Sequence, residues 1–235
     1  MEFPQEIMDQ VRELHGISKE EAQRLKAQAE VAAQTERVWS DLDRFLTRGW
    51  RFHILALMEK ESPRLKRMKA ENHPAIPAIE EIYRLAKDES DRVLRRYPSL
   101  LEEACRANGL ILDSNSHHPK YGLENGFFRL EIDEQRRVAR LSNHEGRLAE
   151  LPADVQAVVE IIKLEHQRLF ERPFDGLKFL KTVRAQYKAV LKKNKQSDGS
   201  SVPIRHITRR LGKNIKGFRK DEFLVDLSRL AEKGP

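Results

Sequence analysis

The sequence of 235 residues contains a single cysteine, Cys105. One cysteine cannot form an internal disulfide or supply a multi-cysteine zinc site, so we expect a buried, unreactive thiol. An apolar run of the roughly 20 residues that a bilayer requires is also absent, because the best candidate, Phe52 to Met58, is interrupted by His53. Residues 1–6 have neither a basic region nor an apolar core, so no export signal is expected. We therefore predict no membrane span and a cytoplasmic location.

Motifs that carry catalysis or hold cofactors are missing as well. The sequence has no Gly-rich phosphate loop, no Ser/His/Asp arrangement and no set of zinc ligands. We therefore predict no catalytic residue, no bound metal and no cofactor. One pattern leaves an alternative open. His118-x-Lys120, followed after four residues by Asn125, resembles the His-x-Lys-x4-Asp motif of phospholipase D-type nucleases, with Asn at the Asp position.

An acidic cluster next to that pattern raises a second form of the nuclease alternative, a metal-dependent one. No lysine follows this cluster two positions further along a strand, where such a nuclease would need one. We therefore interpret the acidic residues as the solvent-exposed side chains of a turn. The histidine pair that precedes the cluster, His117 and His118, could also suggest a metal site. We expect it in a polar loop, because no further metal ligand stands at a suitable spacing. The residues concerned are His117, His118, Glu131, Asp133 and Glu134.

The net charge of +7 conceals an asymmetry along the chain. From Arg172 to Pro235 there are 17 Lys and Arg against 6 Asp and Glu, a net charge of +11, so the first 171 residues carry −4. A segregated basic segment raises the local concentration of polyanions, and nucleic acid is the commonest polyanion in cytoplasm. A patch that docks an acidic partner protein has the same composition and remains an alternative.

The first region, residues 1–110, is predicted to be a helical bundle or hairpin. A short helix from Glu6 to Leu14 precedes Ser18, which stands three residues before Glu21 as in a capping box, so a second helix should begin there. No proline follows for more than forty residues and apolar residues recur every three or four positions, which predicts a long amphipathic helix with Gly49 as its candidate break. This stripe needs a partner helix: it comprises Leu25, Ala29, Ala32, Val38, Leu42, Phe45, Leu46 and Phe52.

Two shorter helices complete this region. The first is predicted from Ala75 to Arg96 and the second from Pro98 to Asn108. In the second, Ser99 and Glu102 repeat the capping-box spacing, and Gly109 supplies a stop.

The second region, residues 111–171, changes from the helical to the strand period. Phe128, Leu130 and Ile132 alternate with Phe127, Arg129 and Glu131, and the segments Val138 to Ser142 and Arg147 to Leu151 follow after turn-like residues. This pattern predicts a three-stranded antiparallel β-meander. A helix from Asp154 to Glu171 is expected to cover its apolar face. The fold class is therefore mainly α with a small antiparallel β-meander (α+β).

The third region, residues 172–235, is predicted to be a basic helix-turn-helix or winged-helix-like module. A helix from Phe174 to Lys195 and a flexible loop to Ser201 precede a short helix, Ile204 to Leu211, that Gly212 should stop. A last helix runs from about Arg219 to Ala231. The module has no β-wing of its own, so the meander is the only candidate for one.

The best candidate site is the basic surface of this module. On the short helix, Arg205 and Arg209 share one face next to Arg210, while Ile204, Ile207 and Leu211 face the core. Such groups can neutralise several phosphates without reading a base sequence. The predicted nucleic-acid-binding residues are Lys192, Lys193, Lys195, Arg205, His206, Arg209, Arg210, Lys213, Lys216, Arg219 and Lys220.

The layout of a long helical region, a small meander and a basic winged-helix-like tail resembles the small accessory subunits of SMC- or Rad50-like ATPases in bacterial chromosome-maintenance and anti-phage defence systems such as Wadjet and Lamassu. The segments that carry the resemblance are Val202-Pro203-Ile204-Arg205 and residues 221–227. It implies a non-catalytic subunit that contacts the ATPase through its helical half and DNA through its basic half.

Three functions of different classes therefore stand as hypotheses. The first is a DNA-associated accessory subunit, the second a purely structural assembly subunit whose basic face docks an acidic protein, and the third a divergent nuclease. The sequence implies DNA and a protein subunit as partners, without identifying the partner chain, the oligomeric state or the biological process.

Overall fold

The computed structural model describes residues 4–234, except for the side chain of Lys233. Residues 1–3, which belong to the stretch considered for an export signal, and Pro235, the end of the predicted basic module, lie outside the described residues. The described chain is mainly helical with one small antiparallel sheet, so the predicted α+β class is confirmed. No helix in residues 4–234 combines the length and apolarity needed to span a membrane. The chain divides into two compact units, Met1–Ser90 and Asp91–Pro235, while the predicted three-region division stays a prediction.

The first unit is built from helices. They are α1 (Gln5–Arg48), α2 (Arg51–Lys60), α3 (Ser62–Ala70) and the greater part of α4 (Ile76–Arg95). The core combines buried residues of α1, α2 and α4 with partly buried residues of α3, so the predicted bundle is present. Its buried members are Leu42, Phe45, Ile54, Leu55, Leu57, Met58, Ile79 and Ala86.

The prediction of a separate opening helix and a new start at Ser18 is wrong, because α1 is continuous over 44 residues. Ser18 lies inside the helix and caps nothing. Gly16 is tolerated because a glycine in a helix costs only about 1 kcal/mol, whereas a break would replace several hydrogen bonds within the helix by hydrogen bonds to water. The predicted break at Gly49 is confirmed: Gly49 has φ 65° and ends α1, and the Trp50 amide donates to the Phe45 carbonyl at 2.8 Å.

Most of α1 is uncovered within this chain. All residues from Pro4 to Gln34 are exposed, and the first buried residue of the helix is Leu42. Ile7, Leu14, Leu25 and Val31 are each at least half exposed. The apolar stripe that the sequence predicts therefore has a partner only at its C-terminal end.

The second unit contains the sheet and the remaining helices. Helix α5 (Tyr97–Ala107) is followed by strands β1 (Lys120–Leu123), β2 (Phe128–Asp133), β3 (Val138–Asn143) and β4 (Gly146–Pro152). Helix α6 (Val155–His166) continues into a π-helical segment (Gln167–Glu171), and α7 (Gly176–Asn194), α8 (Ile204–Asn214) and α9 (Lys220–Lys233) complete the chain as described.

The predicted C-terminal stop of α5 agrees with the structure, since Gly109 has φ 71°. Its predicted capping box is wrong. The Ser99 hydroxyl donates to the Arg96 carbonyl at 3.0 Å, and no side chain caps the start of the helix at Tyr97.

The sheet has four strands in the order β1-β2-β3-β4, all antiparallel, so the predicted count of three is wrong. The missed strand, β1, is only four residues long and includes Gly122, which left too short a pattern to recognise. Its Tyr121 and Leu123 are buried in register with Leu130 and Phe128 of β2. The predicted alternation in β2 is confirmed.

Helix α6 contacts β4 and α5, and its Val158, Val159 and Ile162 are buried. The predicted single helix to Glu171 is wrong, because α6 ends at His166 and the π-helical segment takes over. The Phe170 ring of that segment lies edge-on to Phe128 of β2, with 6.0 Å between the ring centroids.

In the C-terminal part, Gly212 does not stop α8, contrary to the prediction, and the helix runs two residues further to Asn214. The backbone of Gly212 keeps helical geometry, and a Cβ built there lies 3.5 Å from the Phe218 ring. The turn residues 215–219 then lead into α9. A buried cluster of Ile207, Leu211 and Phe223 lies between α8 and α9, and partly buried residues of α7 such as Phe179 and Val183 pack against it.

Candidate nucleic-acid interface

Helix α7 forms one side of the basic surface. Its start is fixed by Asp175, whose carboxylate accepts the Lys178 amide at 2.9 Å, and it ends at Lys195 in the left-handed conformation. The loop that follows is attached to the helix by Tyr187. The Tyr187 hydroxyl donates to the Ser200 carbonyl at 3.0 Å and accepts the Gly199 amide at 2.9 Å.

Helix α8 is oriented by its buried and polar contacts. Ile207 and Leu211 are buried in the cluster described above. On a neighbouring face, Arg210 and Asn214 both donate to the side-chain oxygen of Gln186 on α7, at 3.3 and 3.4 Å. These contacts leave the remaining face of α8 exposed.

The exposed face of α8 carries a row of three cations, Arg205, Arg209 and Lys213, at intervals of four residues. Successive members are separated by a rise of about 6 Å along the helix and lie on the same side. None of the three makes an ion pair within residues 4–234. The exposed Lys216 in the following turn likewise has no carboxylate partner there.

On α7 and its cap, the predicted Lys192, Lys193 and Lys195 are exposed. Sequence reasoning missed a further set on the same helix. These cations are also exposed, and no ion pair joins them to another described residue. Their spacing of three or four positions was the signal that could have identified them: Lys178, Lys181, Arg184 and Lys188.

The structure separates four predicted residues from this row. Arg210 and His206 are only half exposed, and Arg210 is held by Gln186. Lys220 is paired with Glu145 of the β3–β4 turn at 2.7 Å, and Arg219 lies 3.5 Å from Asp221. Arg219 and Lys220 therefore have carboxylate partners that already neutralise their charge.

Four of the six acidic residues from Arg172 to Pro235 lie on α9, and three of these four, Asp221, Glu222 and Asp226, are paired with arginines. Arg168 of the π-helical segment contacts Asp221 at 2.7 Å and Glu222 at 2.6 Å. Arg172 contacts Asp226 at 2.6 Å. The 44 residues from Gly176 to Arg219, which precede α9, contain 13 Lys and Arg and a single acid, Asp198.

The carboxyl group of Asp221 lies at the centre of this network. Burial by itself raises the pKa of Asp221, but the hydrogen bonds from Arg168 and from the Glu222 amide, with the charges of Arg168 and Arg219, bring it below the ordinary value. Burial by itself lowers the pKa of the Arg168 guanidinium, but its hydrogen bonds to Asp221, Glu165 and Glu222 raise this pKa above the ordinary value. Both groups stay charged at neutral pH.

This network also limits how α9 can act. In a helix-turn-helix protein the second helix enters the major groove. Here the residues of the first turn of α9 already have partners within the chain. Asp221 contacts Arg168 and accepts a hydrogen bond from Asn143 of β3 at 3.2 Å, and Lys220 is paired with Glu145. The exposed positive charge lies on α7 and α8, and the winged-helix assignment stays a prediction.

The histidine pattern that suggested a nuclease is held by structural contacts. The Nε2 of His118 lies 2.6 Å from a Glu134 carboxylate oxygen, and its Nδ1 lies 2.7 Å from the Tyr121 hydroxyl. Burial, with a contribution from Glu134, raises the pKa of Tyr121 to about 12. Across residues 4–234, no three His, Cys, Asp or Glu side chains come together in a way that could hold a metal ion.

Comparison with known proteins adds no identity to this geometry. The chain matches no family model, no curated protein and no solved structure.

Proposed function

We propose that this chain is a non-catalytic accessory subunit that binds DNA without sequence preference through the exposed cations of α7 and α8, and binds a partner subunit through α1. The observation that carries the DNA contact is the segregation of charge in its C-terminal part. The segment from Gly176 to Arg219 contains thirteen basic residues and one acid, while Asp221 and Asp226 of α9 are paired with Arg168 and Arg172 of preceding segments.

Cations of this kind bind phosphates by releasing the counterions that coat DNA. Each neutralised phosphate contributes about −0.9 to the slope of log affinity against log salt concentration. Because phosphates carry no sequence information, this surface supplies affinity and orientation only. A DNA-bending or scanning partner would supply any specificity.

The experiment measures binding to duplex DNA across a salt series for the wild type and for the variant R205E/R209E/K213E. Arg210 is left intact, since it is held by Gln186. Loss of three phosphate contacts should flatten the slope by about 2.7 and weaken binding at every sequence tested. An unchanged slope overturns the proposal.

A matched control separates a local contact from the effect of overall charge. Lys19, Lys26 and Lys66 are exposed and lie in the first unit. The variant K19E/K26E/K66E has the same net charge as R205E/R209E/K213E. We expect its salt slope to equal that of the wild type.

The partner contact is supported by the uncovered apolar positions of α1. Ile7, Val11, Leu14, Leu25 and Val31 are 50 to 66% exposed, whereas apolar stripes on helices of this length are normally buried. Following the resemblance, an SMC- or Rad50-like ATPase is the proposed partner. Co-expression with such an ATPase should give a complex that L14D/L25D abolishes while DNA binding is retained.

A purely structural assembly subunit is the second candidate. In this case the same basic surface would bind an acidic protein instead of DNA. Absence of DNA binding at low salt would make it the leading function. A nuclease is the third. It is less favoured because both ring nitrogens of His118 are engaged by Glu134 and Tyr121, and equal activity in His118→Ala would remove this residue from any such mechanism.

A further inference from the structure

The outer face of the sheet carries an open cavity of about 920 Å³, and Arg129 and Glu131 of β2 are part of its lining. Both side chains are exposed and alternate with buried residues of the same strand. The residues directly opposite Arg129 are small, Gly122 on β1 and Ser142 on β3. Space therefore remains on both sides of the Arg129 side chain, and the cavity has the size of a small-molecule site, about 300–1,000 Å³.

The wall of the cavity next to β1 is fixed by hydrogen bonds. The Asp113 amide donates to the Gly122 carbonyl at 2.8 Å. The Asp113 carboxylate accepts the amides of Asn125 and Gly126, and the Ser116 hydroxyl accepts the Gly122 amide at 3.0 Å. A wall that is already held in place loses little conformational entropy when a ligand binds.

The arginines of the cavity differ in whether they have partners. Arg140 contacts Asp133 at 3.3 Å and Glu150 at 3.1 Å, and Arg147 contacts Glu150 at 2.6 Å. The guanidinium of Arg129 makes no hydrogen bond or ion pair with any other residue from 4 to 234. A guanidinium presents a planar fork of donors that fits a phosphate group bidentately. Arg129 is therefore available to an anion that enters the cavity.

Free polar groups surround this arginine. The exposed side chains of Ser114, Asn115 and Asn125 line the cavity, and none of them forms a hydrogen bond to another part of the described chain. The carboxylate of Glu131 has no partner there either. Hydroxyl and amide side chains both donate and accept, and a carboxylate accepts, so together they suit a ligand that carries several hydroxyl groups.

The acidic residues of this face limit the size of the anion. Glu131 and Asp133 lie on the same face of β2 as Arg129, and Glu150 reaches this face through its contact with Arg140. A long polyanion laid across the strands would meet these carboxylates and be repelled. A single phosphate group on Arg129 avoids them. The charge pattern therefore suits one phosphate on a body rich in hydroxyl groups.

We propose that this cavity binds a small sugar phosphate, with its phosphate group on the guanidinium of Arg129 and its hydroxyl groups on Asn115, Asn125 and Glu131. The site goes beyond the proposed DNA contact and does not depend on it. Arg129 lies on the sheet, whereas the cations proposed to bind DNA lie on α7 and α8.

The test measures binding of ribose 5-phosphate, ribose and inorganic phosphate to the full chain by isothermal titration calorimetry. Ribose 5-phosphate should bind at least about ten-fold more tightly than ribose, because hydrogen bonds between charged groups are the stronger ones. It should also bind at least about ten-fold more tightly than inorganic phosphate, which lacks the hydroxyl contacts. Equal affinity for ribose 5-phosphate and either of its two parts overturns the proposal, and so does the absence of binding at millimolar ligand.

Three variants locate the phosphate group. Arg129→Gln should weaken ribose 5-phosphate at least about ten-fold and leave ribose unchanged, with the fold retained because the side chain is exposed and unpaired. Arg129→Lys keeps the charge but loses the fork, so its affinity should lie between those of the wild type and Arg129→Gln. The matched control is Arg136→Gln, an exposed position on the β2–β3 turn outside the cavity lining, which should bind as the wild type does. Equal weakening in the two glutamine variants would reduce the effect to overall charge and contradict the assignment.

Duplex DNA separates this site from the proposed DNA contact. DNA should not displace ribose 5-phosphate, and Arg129→Gln should keep the salt slope of the wild type for DNA, whether or not the cations of α7 and α8 prove to bind it. If DNA displaces ribose 5-phosphate and the slope flattens in Arg129→Gln, the cavity is part of a DNA-binding surface, and the sugar-phosphate site is overturned.

Discussion

The guanidinium of Arg168 donates from Nη2 to a carboxylate oxygen of Asp221 at 2.7 Å, which joins the π-helical segment to the first turn of α9. The same carboxylate accepts the Asn143 side chain of β3. A single buried carboxyl group therefore connects the sheet, the π-helical segment and the C-terminal helices. The orientation of the basic surface depends on this connection, because α9 shares a core with α7 and α8.

Arg168→Ala should be strongly destabilising. It leaves Asp221, which is 5% exposed, charged and without its main partner, and removing one member of a buried ion pair costs several kcal/mol. Because Arg168 is itself 22% exposed, we expect a loss of about 2–4 kcal/mol in the free energy of unfolding, measured with urea. The control is Arg106→Ala, whose pair with Glu102 is fully on the surface, and which should cost less than about 0.5 kcal/mol. Similar losses in the two variants would contradict this.

The lowered pKa of Asp221 also predicts a dependence of stability on pH. A carboxyl group whose pKa is lower in the folded than in the unfolded chain adds stability above its unfolded pKa, about 3.9, and loses it as the pH falls through the folded value. Asp221→Asn should therefore remove part of the loss in unfolding free energy below about pH 4. Urea unfolding of wild type and variant at pH 6 and below pH 4 measures this difference. A constant difference across the range would show that Asp221 does not titrate with folding.

Local signals predicted much of the helical architecture. Gly49 and Gly109 end helices as their positions indicate, and both adopt positive φ. The capping-box spacing at Ser18 failed for a physical reason. Ser18 and Glu21 could form a capping box only if a helix began at this position. Continuing α1 through Ser18 is lower in free energy than ending one helix and starting another. Strand β1 was missed because its stability comes from pairing with β2, which local sequence does not report.

The sequence predicted that the C-terminal part carries a basic site, but it could not show which residues belong to that site. Charge counting located the basic part of the chain, and helical spacing placed Arg205 and Arg209 together. The sequence could not show that Lys220 pairs with Glu145, because 75 residues separate the two. The same limit applies to Arg168, whose contact with Asp221 spans 53 residues. Distant ion pairs decide which cations remain available to a phosphate.

Gly122 is required by the close approach of Asp113. A Cβ at position 122 would lie 2.5 Å from Oδ2 of Asp113. This oxygen accepts the Gly126 amide at 2.6 Å, while Oδ1 accepts the Asn125 amide at 3.0 Å. Gly122→Ala should therefore lower the free energy of unfolding by about 1–3 kcal/mol. In Asp113→Ala, where the clash is absent, the same substitution should cost much less. Equal costs in both backgrounds would refute the proposed clash.

Cys105 should be chemically silent in the folded chain. It is 1% exposed, and burial raises the pKa of its thiol to about 11. Since the thiolate is the reactive form, we expect labelling with Ellman's reagent at pH 8 to be at least about a hundredfold slower than in the unfolded chain. The chain in concentrated urea provides the reference rate. Rapid labelling without urea would show that α5 opens readily.

The exposed middle of α1 and its buried C-terminal end should respond differently when a leucine is replaced by a lysine. Leu25 is 54% exposed and Leu42 is 5% exposed, although both belong to the same apolar stripe. Leu25→Lys should change the free energy of unfolding of the isolated chain by no more than about 0.5 kcal/mol. Leu42→Lys buries a charge in the core of the first unit and should cost more than about 3 kcal/mol. Thermal and urea unfolding at low protein concentration test both variants, and a large loss for Leu25→Lys would mean that this part of α1 is already covered by another copy of the chain. A small loss would leave the exposed stripe available for the partner subunit, which is the condition that the proposed assembly role requires.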